Sequence, residues 1–282
     1  MPGRSLPRLL ADARAEGRRL AMVSIYDAPT AALCCEAGVD MILVGDSLGN
    51  VILGYESTIP VTMQDMLRHT GAVVRGVAGS PRPDVPVVAD LPFGSYATLE
   101  SATENGAALV QAGAQAVKLE GADRAALEGI RALVGMGVPV VGHLGFTPQS
   151  SLSFGSVVQG KSAEAARRLL EDARAVEEAG CCAVVLEAVP SEVARRITEE
   201  LSISTIGIGA GAACDAQVLV WHDLVGLSAE PPLRFVRRYA EVREVLQRAT
   251  GEFVAEVRSG AFPAPEHGWN LDEEERRRWE QG

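Results

Sequence analysis

No run of about 18 apolar residues occurs in the 282-residue chain, so no membrane-spanning helix is expected. The first residues lack the apolar core of a signal peptide. None of the five cysteines stands in a Cys-x-x-Cys spacing. Cys34 and Cys35 are adjacent, as are Cys181 and Cys182, and Cys214 stands alone. An odd count in that arrangement indicates neither a zinc site nor a disulfide framework. Small buried thiols in a reducing compartment are the expectation. Cations are the scarcer charge, 26 Lys and Arg against 37 Asp and Glu, which leaves a formal charge of −11. That balance argues against non-specific binding to nucleic acid and against docking on anionic lipid. A soluble cytoplasmic protein with neither partner is expected.

What the chain has in quantity is apolar residues, 47% of the total, enough for one large core or two smaller ones. They fall in short runs separated by amphipathic stretches. Strands are expected at 20–25, 39–46, 86–91, 114–120, 138–143, 181–187, 203–208 and 218–224. Helices are expected at 6–19, 31–37, 62–77, 98–112, 124–134, 163–179 and 190–201, with 235–257 mostly helical. Loops with several glycines occupy 48–60 and 145–160. The tail from 271 to 282 is a mixed charge run with i,i+3 pairs, a solvated helix candidate. Eight strands alternating with helices predict a single α/β domain over 1–282. It would be a (β/α)8 TIM barrel with an N-terminal helix and a C-terminal helical extension. Nearly continuous apolar strands suit parallel strands buried on both faces. The rival, an open doubly wound sheet, would gather ligands at one or two switch points.

Five of these runs end in a polar group: Asp46, Asp90, Glu120, His143 and Glu187. In a parallel barrel all strand C-termini share one face, so all five can feed one mouth. Asp46 and Asp90 would repel there, and a divalent oxygen-seeking cation such as Mg²⁺ resolves that, with Glu120 joining directly or through water. The competing reading is that each Asp caps a following helix. Lys118 lies two residues before Glu120 and so shares its face, where it can pair with carboxylates or hold an anionic substrate. His143 sits at its strand end in Gly-His-Leu-Gly, as a catalytic or a structural ring. Glu187, among apolar neighbours, suits a general base, and a supporting role is the alternative. His69 and His222 are expected to be structural and His267 exposed. Residues 207–211, Gly-Ile-Gly-Ala-Gly, are a weak candidate for an anion cradle.

In order along the chain stand Ile25-Tyr26-Asp27, Val44-Gly45-Asp46-Ser47-Leu48-Gly49, His69-Thr70, Ala89-Asp90-Leu91-Pro92-Phe93 and Val117-Lys118-Leu119-Glu120-Gly121. They are followed by Gly142-His143-Leu144-Gly145-Phe146-Thr147-Pro148-Gln149-Ser150, Val158-Gln159-Gly160, Leu186-Glu187 and Ile206-Gly207-Ile208-Gly209-Ala210-Gly211. The set resembles the ketopantoate hydroxymethyltransferase family from about residue 19 to 267. The resemblance implies a barrel of the phosphoenolpyruvate/pyruvate superfamily and a homodecamer. It implies Mg²⁺ held by Asp46 and Asp90, with Glu120 linked through water. Ser47 and Lys118 would bind the 2-oxo acid, together with the metal-holding Asp46 and Asp90. Glu187 would be the base, and His143 would lie beside the reacting groups. The implied reaction moves a hydroxymethyl group from 5,10-methylenetetrahydrofolate to 3-methyl-2-oxobutanoate through a Mg-stabilised enolate, giving 2-dehydropantoate.

The chain departs from the family pattern in places. Ser24 replaces a Thr, Gly121-Ala122 a Gly-Gly, and Gly155-Ser156 a Gly-Gly in a loop one residue short. Ala216 replaces a Gly, and Trp221 a smaller residue. None touches the expected metal or base. They leave room for a paralogue with another 2-oxo acid, or for a C–C lyase or decarboxylase of the same superfamily. The Lys-Lys/Arg-Cys-Gly-His loop of isocitrate-lyase types is absent. A non-catalytic barrel would not need the full acid set.

Overall fold

The computed structural model describes residues 5–153, 158–228 and 233–282. The barrel strands are β1 (Leu20–Ser24), β2 (Met41–Val44), β3 (Val87–Asp90), β4 (Ala116–Glu120), β5 (Val140–Gly145), β6 (Ala183–Glu187), β7 (Ser204–Ile208) and β8 (Ala216–Val220). They pair in sequence order, all parallel, and β8 closes on β1. Asp90 stands beside Lys118, Glu120 beside His143, and Gly145 beside Glu187. The expected barrel is therefore present.

The main helices are α1 (Leu6–Ala15), α2 (Ala28–Glu36), the short α3 (Leu48–Val51), α4 (Met63–Ala78), α5 (Leu99–Gln111) and α6 (Arg124–Gly135). Then come α7 (Ala163–Glu178), α8 (Ser191–Glu200), the short α9 (Trp221–Leu224), α10 (Val242–Ser259) and α11 (Glu273–Gln281). Sequence explains their starts. Thr62 and Asp65 form a reciprocal capping box at α4, satisfying two orphan N–H groups. Asp27, Asp123, Ser162 and Asp272 cap α2, α6, α7 and α11 with side-chain oxygens.

Two apolar layers hold the fold. One lies inside the barrel, where Met22, Met41, Leu43, Val88, Ala116, Val141, Val185, Ile206 and Val218 meet Leu6, Leu9 and Leu10 of α1. Helix α1 thus plugs the barrel at the strand N-termini. Its Arg14 bonds the carbonyls of Thr198 at 2.8 Å, Leu201 at 2.6 Å and Ile203, and pairs with Asp215 at 3.5 Å. The other layer lies between the sheet and the outer helices. Cys34, Cys35, Cys181 and Cys214 are buried and all five thiols are free. Burial pushes the Cys34 thiol up to about 11, so it behaves as a small hydrophobe.

Two expectations need correction. The eighth strand is shorter than 218–224: it stops at Val220, whose partner Ser24 ends β1, and the chain turns into α9. Beyond Ser24 the ladder has no neighbour to continue on. No helix joins β7 to β8, which are linked by residues 209–215 alone. The last long helix begins at Val242, not at 235. The amides of Tyr239, Val242 and Arg243 donate to the carbonyls of Leu224, Val225 and Gly226, so the approach to α10 satisfies the end of α9 instead of coiling. The Gly155-Ser156 departure lies outside the described residues.

Candidate active site

All seven expected site residues, Asp46, Ser47, Asp90, Lys118, Glu120, His143 and Glu187, line one cavity of about 980 Å³ at the strand C-termini. Asp90, Lys118, Glu120, His143 and Glu187 are on strands, so rigid backbone fixes each one. Asp46 and Ser47 lie on the turn after β2. Gly45 allows that turn: a Cβ there would fall 2.9 Å from Ser24 Oγ and 2.8 Å from Ser47 Oγ.

The polar groups form a connected set. The Asp46 backbone N–H donates to Asp90 Oδ2 at 3.0 Å. Lys118 Nζ stands 3.0 Å from Asp90 Oδ1 and 3.3 Å from His143 Nδ1. His143 Nδ1 lies 3.2 Å from Glu120 Oε1, and its Nε2 lies 3.3 Å from Glu187 Oε2. The imidazole therefore sits between two carboxylates, within ion-pair distance of each. The Glu187 side chain is the most open of the four acids, 19% exposed against 2% for Asp90 and for Glu120. It faces the cavity while the others form its floor.

The electrostatics follow from burial and crowding. Burial, then the Asp90 and Glu120 carboxylates, push Asp46 up to about 8. Burial also raises Asp90, against the pull of Lys118. Burial alone would lower Lys118, but Asp90, Glu120 and Asp46 outweigh it and hold the ammonium above its ordinary value. Burial and Lys118 would likewise lower His143. Glu120 and Glu187 prevail and raise the ring to about 9. Its Nδ1 cannot both accept from Lys118 and donate to Glu120. The excess of carboxylate favours the protonated ring, with its N–H groups toward Glu120 and Glu187. Four carboxylates thus share one lysine and one imidazole.

Sequence reasoning missed four side chains here. Gln149, on the 3-10 turn Pro148–Ser153 after β5, touches Asp46 and Glu120 at once. Tyr96 donates its O–H to Gln149 Oε1 at 2.6 Å. Tyr26 is fully buried, and its hydroxyl links Ser24 at 3.1 Å to Ser47 at 2.8 Å. Tyr26 and Gln149 both stood within recognised motifs, and their type gave no sign that they reach acids from distant strands. His69 is structural as expected, its Nδ1 2.6 Å from the Tyr26 carbonyl. His222 instead lines the cavity, its ring tilted against Tyr26 at 5.7 Å. The 207–211 run offers no open cradle, because Gly209 lies against the Phe235 ring and Gly211 against Ser191.

The model of the family described as ketopantoate hydroxymethyltransferase matches residues 6–265. The chain belongs to the ketopantoate hydroxymethyltransferase family. It is therefore an enzyme of the transferase class. A 3-methyl-2-oxobutanoate hydroxymethyltransferase of Chloroflexus aggregans is 51% identical over 260 residues, spanning 92% of this chain and 91% of its own length. The enzyme of that name from Thermotoga maritima is 51% identical over 253 residues, 89% of this chain and 92% of that one. Among solved structures, a phosphonopyruvate hydrolase superposes with a TM-score of 0.62 at 12% identity, covering 99% of this chain and 96% of that one. A 2,3-dimethylmalate lyase, described as a PEP mutase/isocitrate lyase superfamily member, superposes at 0.58 and 16% identity, covering 96% and 92%. At these identities the likenesses show a shared barrel fold.

Among the described residues no three His, Cys, Asp or Glu side chains are already drawn together as ligands. The chemistry nonetheless suits a divalent cation. Asp90 Oδ1 and Glu120 Oε1 are buried oxygens without a hydrogen-bond donor of good geometry. Oxygen-only donors with surplus negative charge are what Mg²⁺ takes.

Proposed function

We propose that this enzyme transfers a hydroxymethyl group from 5,10-methylenetetrahydrofolate to 3-methyl-2-oxobutanoate, giving 2-dehydropantoate. The observation that carries the reading is the buried surplus of carboxylate on one side of the cavity with Glu187 open on the other. Asp46 and Asp90 would hold Mg²⁺, with Glu120 linked through water. The ion would act as a Lewis acid on the oxygens of the 2-oxo acid, making the C3 proton more acidic. A phosphonopyruvate hydrolase with the same barrel fold has been solved in complex with oxalate and Mg²⁺.

The chain's own residues supply the rest. Ser47, oriented by the Tyr26 hydroxyl, donates to the substrate carboxylate. Lys118 adds a fixed positive charge on the same side, already anchored by Asp90. Glu187 accepts the C3 proton, and the protonated His143 ring, its Nε2 3.3 Å away, steadies the carboxylate in position for the transfer. The C3 carbanion then bonds to the one-carbon unit of the folate donor. Water supplies the hydroxyl oxygen, tetrahydrofolate leaves on its nitrogen, and the proton returns through Glu187. The 980 Å³ cavity has room for both substrates. Self-association belongs to the same reading, with a decamer the form that the family resemblance implies. It is supported by Val245, Leu246, Phe253 and Val257, all exposed on α10. A cytoplasmic setting fits the five free thiols.

Deuterium exchange at C3 tests the half-reaction. In D₂O with Mg²⁺ and no folate, 3-methyl-2-oxobutanoate should exchange, and Glu187→Gln should abolish it. If no branched 2-oxo acid exchanges, the mechanism is wrong. Exchange of a different 2-oxo acid alone would reassign the substrate.

A further inference from the structure

We propose that Gln149, locked by Tyr96, is a positioning residue that sets the Asp46 and Glu120 carboxylates for the divalent cation. This rests on the metal reading above. The Gln149 side chain is buried, and every polar atom of its amide is used. Nε2 donates to Asp46 Oδ2 at 2.8 Å and to the Leu91 carbonyl at 3.0 Å. Oε1 accepts from the Tyr96 hydroxyl at 2.6 Å. The Gln149 backbone N–H donates to Glu120 Oε2 at 3.0 Å.

The orientation of the amide is dictated by chemistry. A flipped amide would set Oε1 against two acceptors, the Asp46 carboxylate and the Leu91 carbonyl. Tyr96 agrees with the choice: its O–H donates to Oε1 at 2.6 Å, with the Glu120 carbonyl a more distant acceptor at 3.5 Å. One neutral residue therefore grips one oxygen of each of two carboxylates. Glu120 keeps its other oxygen, Oε1, 3.2 Å from His143 Nδ1 but without a hydrogen bond of good geometry.

Neutrality is the functional point. An Arg or Lys in this place would orient the same carboxylates and also cancel their charge, removing the attraction for a cation. An amide and a backbone N–H fix the geometry and leave the surplus charge in place. The grip also joins separate parts of the rim. Tyr96 comes from the loop after β3, Asp46 from the turn after β2, and Gln149 from the turn after β5. Outer hydrogen-bond partners of metal-binding carboxylates commonly account for 10–100-fold in metal affinity.

Mn²⁺ titration of the full-length protein, followed by the electron paramagnetic resonance of free Mn²⁺, reads this directly. Wild type, Gln149→Met, Tyr96→Phe and Asp46→Asn are compared, with urea stability measured alongside. Met keeps the length and much of the volume of Gln and removes its hydrogen bonds. Gln149→Met should bind Mn²⁺ about 10–100-fold more weakly. Tyr96→Phe, which keeps the ring packing, should weaken binding severalfold without losing the fold. Affinity within twofold of wild type for both variants, while Asp46→Asn loses the ion, overturns the role of Gln149 and leaves the metal reading standing. If Asp46→Asn binds as well as wild type, or wild type binds no Mn²⁺, the metal reading itself falls. Should Gln149→Met fail to fold, Tyr96→Phe decides between the same outcomes.

Discussion

Replacing Lys118 by Met should destabilise the metal-free enzyme severely at pH 8 and much less at pH 6. Met fills the space of the lysine stem and removes only the charge and the hydrogen bonds. Lys118 and Asp90 are 5% and 2% exposed at 3.0 Å separation. At that distance, with an effective dielectric near 20, their attraction is about 5 kcal/mol. Removing one partner of a buried pair typically costs about 3–5 kcal/mol, because the other is left uncompensated. Here the abandoned charge also faces Asp46 and Glu120, which places the cost at the upper end, about 5 kcal/mol at pH 8. The pH dependence has a definite sign. Asp46 and Asp90 already hold their protons more tightly when folded than when unfolded. Loss of Lys118 increases that difference. A carboxylate raised in this way costs stability at high pH and releases the cost as pH falls toward its unfolded value near 4. Urea denaturation in EDTA at the two pH values, at one protein concentration, measures it. An equal loss at pH 6 and pH 8, or a loss under about 1 kcal/mol at both, would refute the account of a charge-starved pocket. Mg²⁺ should restore part of the stability of the variant at pH 8.

The metal-free wild type should also lose stability as pH rises from about 6 to 9. The cost of ionising Asp46 grows as pH approaches its folded value of about 8. The stabilisation from protonated His143 is complete below about 6.5 and fades as pH passes its folded value of about 9. Greater stability in EDTA at pH 9 than at pH 6 would contradict both. Gly145→Ala should cut the C3 exchange rate tenfold or more while the protein stays folded. Gly145 has φ 94°, and a Cβ there would lie 2.3 Å from the Glu187 carbonyl oxygen. An unchanged exchange rate would mean that Glu187 does not need its present position.

The parts legible in the sequence were those governed by burial. Strands covered on both faces must be apolar, so a carboxylate closing such a strand stands out. Asp90, Glu120 and Glu187 were visible for that reason, and the shared polarity of parallel strands brought them together. Val218 to Leu224 misled because an apolar run does not say where its hydrogen-bonding neighbour ends. Here β1 ends at Ser24, and the ladder with it. The stretch before Val242 misled because its amides are spent on another helix. Gln149 and Tyr96 went unseen for a different reason. Their roles depend on which loops meet over the barrel mouth, and neither residue has a charge or a pattern to announce it. Ala188, next to Glu187, likewise takes a positive φ of 50° that nothing in its residue type foretells.

Helix α1 also has a consequence for how the protein is made. It is synthesised well before the rest of the barrel, and Arg14 finds its partners 184 to 189 residues later in the chain. Its apolar side, Leu6, Leu9 and Leu10, belongs inside a cylinder that does not exist until β8 is synthesised. At translation speeds of about 5–20 residues per second, that delay is roughly 10–40 s. For that interval the nascent chain carries an unsheltered greasy helix, and a chaperone that shields it until the barrel closes would raise the yield of native enzyme.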